Sequence, residues 1–413
     1  MIKRPTKSKI SQKAKKSVPR ALLLLKLGWF FVNFMIIAPI VVLVYTHKGI
    51  SIGDFFLLQG LYRIAVLLFE IPSGYLSDRF SRRRVLILGT LIHFAGFSIL
   101  AMAFGFWQLL LGESLLGVSS ALFSGTMEAY TYDLLKRNNT QKHFLKEFGA
   151  ITTYGQTSGF IAAIISGILL SIIGGNGILW CEALLCLVAT ALFFFIPELS
   201  EVIRKKSKNK SDLADVIGIT YRTLKNPKLR SLILFPSIFS AFTIILLWIL
   251  QPVMEISHIP IVLFGIYFSI NKFSSILFAK FAHKICAKFG EITVSLITVF
   301  SIFLGILLTF ATLSTHNMIF VYFACAIMAI IPAIRILNNL QYNTLIHHDI
   351  ESKERGTVLS VRAMVSSAIG ATMLATAKFL LDTYDIKITM LFTLCMTVFL
   401  FISLKTTKKY IGK

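Results

Sequence analysis

Apolar runs of about 20 residues return along the whole chain, and each is long enough to cross a hydrocarbon core of about 30 Å. Short charged gaps separate them. Inside lipid every backbone amide must find its partner within the protein, so long apolar runs of this kind predict helices. A transmembrane barrel would show short alternating strands instead. Composition points the same way. The 413 residues are 56% hydrophobic and 15% charged, with a mean hydropathy of +0.77. A soluble domain holds roughly 45–50% apolar and about 25% charged residues. The expected class is therefore all-α integral membrane. The N-terminus is basic and then apolar, as in a signal peptide. The run from Ala21 to Thr46 is too long for a signal h-region and lacks a small-x-small site, so it reads as a first, uncleaved span.

Twelve spans are expected, at about 21–46, 53–77, 84–105, 107–134, 146–173, 178–196, 230–254, 261–282, 291–313, 317–341, 356–381 and 386–404. The polar segment 197–229 divides them into two sets of six. The expected organisation is a basic N-terminal tail (1–20), a first six-helix bundle (21–196), a central loop (197–229), a second six-helix bundle (230–404) and a C-terminal tail (405–413). Asp212 to Leu224 within the central loop has an amphipathic pattern fit for a surface helix.

The net charge of +23 suggests nucleic acid at first sight, but the bases sit in the gaps between spans. Residues 1–20, 79–84, 136–146, 204–230, 280–288, 353–355 and 405–413 hold 34 of the 42 lysines and arginines. All seven groups fall on one side of an alternating twelve-span path, and the other side holds Lys48 and Lys387. The positive-inside rule then places both termini and the central loop in the cytoplasm of a bacterial inner-membrane protein. Lipid is an expected partner; nucleic acid is not.

Shifting the sequence by 205 residues lays the second half on the first. Gly60-Leu61-Tyr62 falls on Gly265-Ile266-Tyr267, Asp78-Arg79 on His283-Lys284, and Thr152 on Thr357. Parallel repeats of this sort, with a site at mid-membrane between them, are one known transporter plan.

Gly74-Tyr75-Leu76-Ser77-Asp78-Arg79-Phe80-Ser81-Arg82-Arg83-Arg84 resembles the loop 2–3 signature of the major facilitator superfamily, G-x-L-x-D-R-x-G-R-[KR]-x. Ser81 replaces the usual glycine, and the second-half copy at 279–290 is degraded. The resemblance extends over the chain through the twelve spans, the two pseudo-symmetric halves and the basic central loop. It implies a latch of Gly74, Asp78, Arg79, Arg82 and Asp133 on the cytoplasmic side. Gly74 would allow close helix approach. Asp78 would accept from the N-terminus of the eleventh helix near Gly356-Thr357. Arg82 would pair with Asp133 at the end of the fourth.

Charges inside spans are costly and default to functional hypotheses. Glu70 lies about 12 Å inward from Asp78 at 1.5 Å per residue. Arg63, Glu113 and Glu128 join it in the first half; Lys272, Arg335 and Arg362 lie within second-half spans. Three readings stay open. Glu70 or Glu128 pairs with Arg335 or Arg362 as an inner gate. The bases attract an anionic solute while an acid such as Glu113, in its apolar setting, carries a proton. Or each charge is satisfied locally, as Arg63 with Glu70. Asn33, Tyr62, Trp248, Gln251, Asn271 and Lys272 are candidates for a solute cavity. Trp107, Trp180 and Tyr322 read as interfacial anchors.

The fourth span departs from the R-x-x-Q-G pattern of drug/proton antiporters, since Glu113 stands at the arginine place and Leu116 at the glutamine place. The fifth keeps Gly155 and Gly159 of G-x-x-x-G-P-x-x-G-G and lacks the proline. "EIPSGYLSDR", "SGTMEAYTYDLL" and Trp248-Ile249-Leu250-Gln251-Pro252 look like a bacterial branch of efflux permeases. No Walker-type loop, catalytic constellation or cofactor motif occurs. His347-His348-Asp349 reads as a solvated loop, with no metal site. The expected function is secondary active transport of a small organic or amphipathic solute by alternating access, proton-coupled and favouring export. Alternatives are transport of an anionic metabolite or siderophore, and a non-transporting membrane sensor or scaffold on the same fold.

Overall fold

The computed structural model describes residues 7–199, 213–348 and 355–410; the side chains at 7–17, 71, 78, 145, 213–217, 219, 347–348 and 355–357 lie outside that description. Every regular element among them is helical. Helix α1 (Lys7–Val32) precedes a break and a 3₁₀ turn at Ala38–Ile40 that leads into α2 (Val41–His47). Then come α3 (Ile52–Arg79), α4 (Arg82–Met102), α5 (Phe106–Arg137) and α6 (Phe144–Phe194). After the central segment follow α7 (Leu213–Lys225), α8 (Pro227–Ile256), α9 (Ile261–Phe289) and α10 (Glu291–Thr312). The last are α11 (Met318–Ile330), α12 (Ile334–His348), α13 (Arg355–Thr383) and α14 (Ile386–Lys408).

Ten helical stretches among the described residues are long and apolar enough to cross a membrane. One of them is two helices in series: Gly174 within α6 has φ +67°, and the helix direction changes there. The expected gap at 174–177 thus shrinks to one glycine, the residue that takes this backbone region without a Cβ penalty. The first expected span is a broken helix, α1 and α2 joined by the irregular segment 33–37. Counted this way the path is consistent with twelve crossings. The tenth span is also broken, at the 3₁₀ turn Ile331–Ala333 around Pro332, where proline lacks the N–H that a helix interior needs. Helix α1 starts at Lys7, inside the stretch read as a tail.

Large apolar side chains face outward throughout. Ile319, Trp107, Phe104 and Ile172 are among the most exposed residues, the inverse of a soluble protein and the pattern lipid requires. The helix interfaces carry small residues. A Cβ on Gly96 would meet the Gly112 carbonyl at 3.2 Å, so α4 and α5 nearly touch backbones.

Helices α1, α3, α4, α5 and both parts of α6 pack together, and α8 to α14 form a second group. The two groups meet along α3 with α13, along α6 with α9, and through α2 with α8. Lys48 fixes the corner of the first group: its ammonium donates to the carbonyls of Ala101 (3.3 Å) and Ala103 (3.1 Å) and to the Asn176 side chain beside the α6 bend.

Candidate functional site

The contact between the two groups is a wedge, and glycines record it. On α6, Gly149 and Gly167 are eighteen residues apart, five turns, and so lie on one face about 27 Å apart. A Cβ on Gly167 would sit 2.6 Å from the Val262 Cα of α9; one on Gly149 would meet nothing within 4 Å. On α3, Gly60 lies against the Ala371 carbonyl of α13 at 3.3 Å, while Gly74, about four turns further on, meets nothing. The helices therefore touch at the end opposite the basic loops and diverge toward the basic end.

Charge closes the touching end. Ser51 caps α3, accepting from the Asp54 N–H at 2.9 Å, and donates to Asp382 of α13 at 3.0 Å. Lys378, one turn before Asp382, bridges that carboxylate and Asp54, whose Oδ1 is 3.0 Å away. Behind the bridge, Gln251 of α8 uses both polar ends on the broken first helix. It accepts from the Val42 N–H and donates to the Ala38 carbonyl, each at 3.0 Å. Trp248 of α8 meets Phe55 of α3 edge-on at 5.4 Å.

The break in the first helix has its own cap. The Ile37 N–H donates to Glu182 Oε1 at 2.7 Å, placing a carboxylate at the start of the Ala38–His47 helix. Glu113 is fully enclosed nearby. It accepts from the Tyr45 hydroxyl at 2.8 Å and from Gln59 at 3.1 Å.

At the depth where the wedge starts to open, three cations gather. Arg63 of α3 runs along Gly370 of α13, and Lys272 of α9 along Gly159 of α6; the stems would lie 3.1 and 3.2 Å from a Cβ there. Each lies eleven residues after the first residue of its helix, Ile52 and Ile261, so the two share a depth. Arg335 of α12 is close enough to both for mutual repulsion. Lys272 also sits over the Phe268 ring at 5.5 Å. None of the three has an acidic partner among the described residues.

Other expected residues find other places. Arg82 donates to the Asp133 carboxylate and to the Ala129 carbonyl (2.8 Å), joining α4 to the end of α5. Arg79 reaches the Tyr75 hydroxyl at 2.7 Å. The Asp78 side chain and the start of α13 lie outside the described side chains, as does the His347-His348-Asp349 segment. Gly74 makes no close approach, because the helices have parted by that level.

Glu70 accepts from Ser124 of α5 at 3.3 Å, and Glu128 is exposed. The pairs of Glu70 or Glu128 with Arg335 or Arg362, and of Arg63 with Glu70, are absent among the described residues. Arg362 is instead buried inside its own group, donating to Asn339 Oδ1 at 2.7 Å and to the Asn343 side chain. These amides satisfy the guanidinium locally in this conformation, where the basic end is open. Gln251 and Asn271 are likewise engaged within the protein. Gln251 is spent on the first helix, and Asn271 donates to the Ala329 carbonyl at 2.9 Å inside the second group. Asn33 donates to the Trp29 carbonyl at the helix break, and Tyr62 is half-buried on α3 beside Arg63.

Sequence reasoning missed the Glu182 cap, the asparagine cradle of Arg362 and the Lys378 bridge. The i,i+4 spacing of Lys378 and Asp382 was a visible signal for the last. The third partner, Asp54, is 324 residues away.

The comparisons with known proteins agree with this architecture. An uncharacterised transporter of Buchnera aphidicola subsp. Acyrthosiphon pisum is 30% identical over 161 residues, 39% of this chain and 40% of that protein. The inner membrane transport protein YajR of Escherichia coli K12 is 29% identical over 140 residues, 33% of this chain and 29% of that one. The chain thus aligns with two fifths or less of these relatives' lengths. The fold extends further. A point mutant of the nucleoside transporter NupG superposes with a TM-score of 0.80 at 13% identity, covering 94% of this chain and 99% of its own. A bacterial homologue of the human lysosomal transporter Spinster, inward-facing and occupied, gives 0.69 at 16% identity with both chains fully covered. The family model of the Major Facilitator Superfamily matches residues 28–375, and the chain belongs to that superfamily.

Proposed function

We propose that this membrane transporter is a secondary active one, moving a small organic or amphipathic solute across the bacterial inner membrane by alternating access. In this reading residues 21–196 and 230–404 rock against each other about the wedge. The observation that carries it is the graded contact along α6 and α3: closed at Gly167 and Gly60, open at Gly149 and Gly74. A rigid scaffold has no need of two long interfaces that part at the same end.

The seven basic regions on one side of the path support a cytoplasmic placement of both termini and the central segment. The name of the Escherichia coli relative supports an inner-membrane location. With that orientation the wedge opens to the cytoplasm and the Lys378 bridge seals the outside. Closing the cytoplasmic end would bring Gly74, Asp78 and the Arg82–Asp133 pair against α13, and Glu70 and Glu128 toward the second bundle.

Glu113 is the proposed proton carrier. It sits in an enclosed site of α2, α3 and α5, and its two hydrogen-bond partners, Tyr45 and Gln59, are neutral. Export is proposed from the likeness of the second, fourth and seventh spans to efflux permeases. The second reading, an anionic metabolite or siderophore as cargo, is favoured by the unpaired cations at the vertex.

A growth screen of a deletion strain against toxic compounds, followed by reconstitution, tests the proposal. Vesicles holding the protein should move a compound found in the screen and collapse an imposed pH gradient in doing so. A sensor or scaffold would do neither. Movement without proton flux would remove Glu113 from its assigned role.

A further inference from the structure

The three cations at the vertex have no partner of opposite charge among the described residues, and the geometry points to one that arrives with the cargo. We infer that Arg63, Lys272 and Arg335 form the binding site for the negatively charged group, carboxylate or phosphate, of a water-soluble organic anion. The inference rests on the transport reading and adds the cargo's charge to it.

Three observations converge. Arg63 extends from α3 along Gly370 of α13, and Lys272 from α9 along Gly159 of α6, so each crosses to the other half of the sequence. A side chain at either glycine would block its stem. Arg335 is near enough to repel both. Like charges brought together in a membrane protein are costly unless an anion or ordered water compensates.

Other cations within the helices are compensated at short range: Lys378 by Asp54 and Asp382, Lys26 by Glu147, and Arg362 by the side-chain oxygens of two asparagines. The vertex cations lie at the depth between the touching glycines, Gly60 and Gly167, and the open ones, Gly74 and Gly149. Their stems lie where the two halves touch, so an anion bridging Arg63 to Lys272 and Arg335 would be gripped from both halves. Arg335 supplies the planar fork suited to carboxylate or phosphate.

The charge of the site can be read without knowing the cargo. Ser366 lies one turn from Gly370 on the same face of α13, toward the open end, and is half-buried. In a background lacking the five native cysteines, Ser366→Cys is reacted with anionic methanethiosulfonate ethylsulfonate and with its cationic trimethylammonium counterpart. The protein is held in phosphatidylcholine nanodiscs. The anionic reagent should be favoured by about tenfold relative to a free thiol. Arg63→Gln, Lys272→Gln and Arg335→Gln should each reduce that preference severalfold, and Lys280→Gln, at the basic end of α9, should leave it intact.

A ratio equal to that of the free thiol, or one unchanged by the three substitutions, overturns the inference. So does a preference lost on adding phosphatidylglycerol, because the occupant is then a lipid headgroup. Labelling needs no turnover. A chain that fails to transport but keeps the anionic preference leaves this site standing and sinks the transport reading; normal transport with no preference does the reverse.

Discussion

Lys378 and Asp54 lie 3.0 Å apart across 324 residues of sequence, and they join α13 to α3 at the end where the two halves touch. Asp382 completes the group one turn along α13, and Ser51 adds a hydrogen bond from the cap of α3. The three charged side chains keep about a third of their surface exposed. Such partly exposed pairs contribute roughly 0.2–1 kcal/mol each. That is a weak clasp, suited to a contact that opens under the proposed rocking motion.

Lys378→Met should therefore bias the protein toward the conformation open at this end without unfolding it. The expected shift in the ratio of the two conformations is about twofold to fivefold, the size of one exposed ion pair. Reversing both charges, with Asp54→Lys and Lys378→Asp, should recover part of it. Spin-label distances across this end measure the ratio. An unchanged ratio in Lys378→Met would remove the clasp from the cycle.

Gly167 and Gly149 separate a packing effect from a cycling effect. Gly167→Val pushes a side chain into the Val262 backbone, and overpacking of this kind costs about 1–3 kcal/mol. The melting temperature of the solubilised protein should fall. Gly149→Val meets open space here and should leave melting alone. It should still slow turnover in vesicles, because closing the basic end brings that face against α9. Wild-type turnover in Gly149→Val would contradict the rocking motion.

Glu182 and Glu113 are both enclosed acids, yet their partners assign them different work. Glu182→Gln keeps an acceptor for the Ile37 N–H and should melt close to wild type. Glu182→Leu loses the cap and should cost about 1 kcal/mol. Glu113→Gln should keep solute exchange across vesicles at equal pH and lose the response to an imposed pH gradient. If Glu182→Gln alone abolishes that response, the proton passes through the helix-1 cap instead.

Asp133→Ala leaves the Arg82 guanidinium with only the Ala129 carbonyl in a largely buried setting. Breaking one side of a buried pair costs about 3 kcal/mol, so melting should drop clearly. The exchange Arg82→Asp with Asp133→Arg should restore more than half of the loss. Equal melting of Asp133→Ala and wild type would show that the pair carries no stability.

The membrane class and the approximate positions of most long helices were legible because apolar length and loop charge are local signals. The Arg82–Asp133 pair was implied by the resemblance to the superfamily signature. The breaks at 33–37 and at Pro332 were harder. Apolar composition continues across both; Pro39 and the Glu182 cap mark the first break and Pro332 the second. The partners that Gln251, Asn271 and Arg362 take in this conformation were not legible for one physical reason. Each satisfies its polar groups on a helix whose neighbour relation depends on tertiary packing, and one-dimensional spacing cannot show that. The vertex cations were visible as residues but not as a set, because Arg63, Lys272 and Arg335 converge only once α3, α9 and α12 are placed together.

Two spin-label distances in one membrane preparation test the rocking of the halves most directly. One pair, Lys142→Cys with Lys284→Cys, spans the basic end; the other, Phe104→Cys with Tyr384→Cys, spans the opposite end, and all four positions are exposed. Across a range of pH and added solute, the first distance should shorten in the same fraction of molecules in which the second lengthens. Two distances that stay fixed under every condition, or that grow and shrink together, would contradict alternating access in this chain.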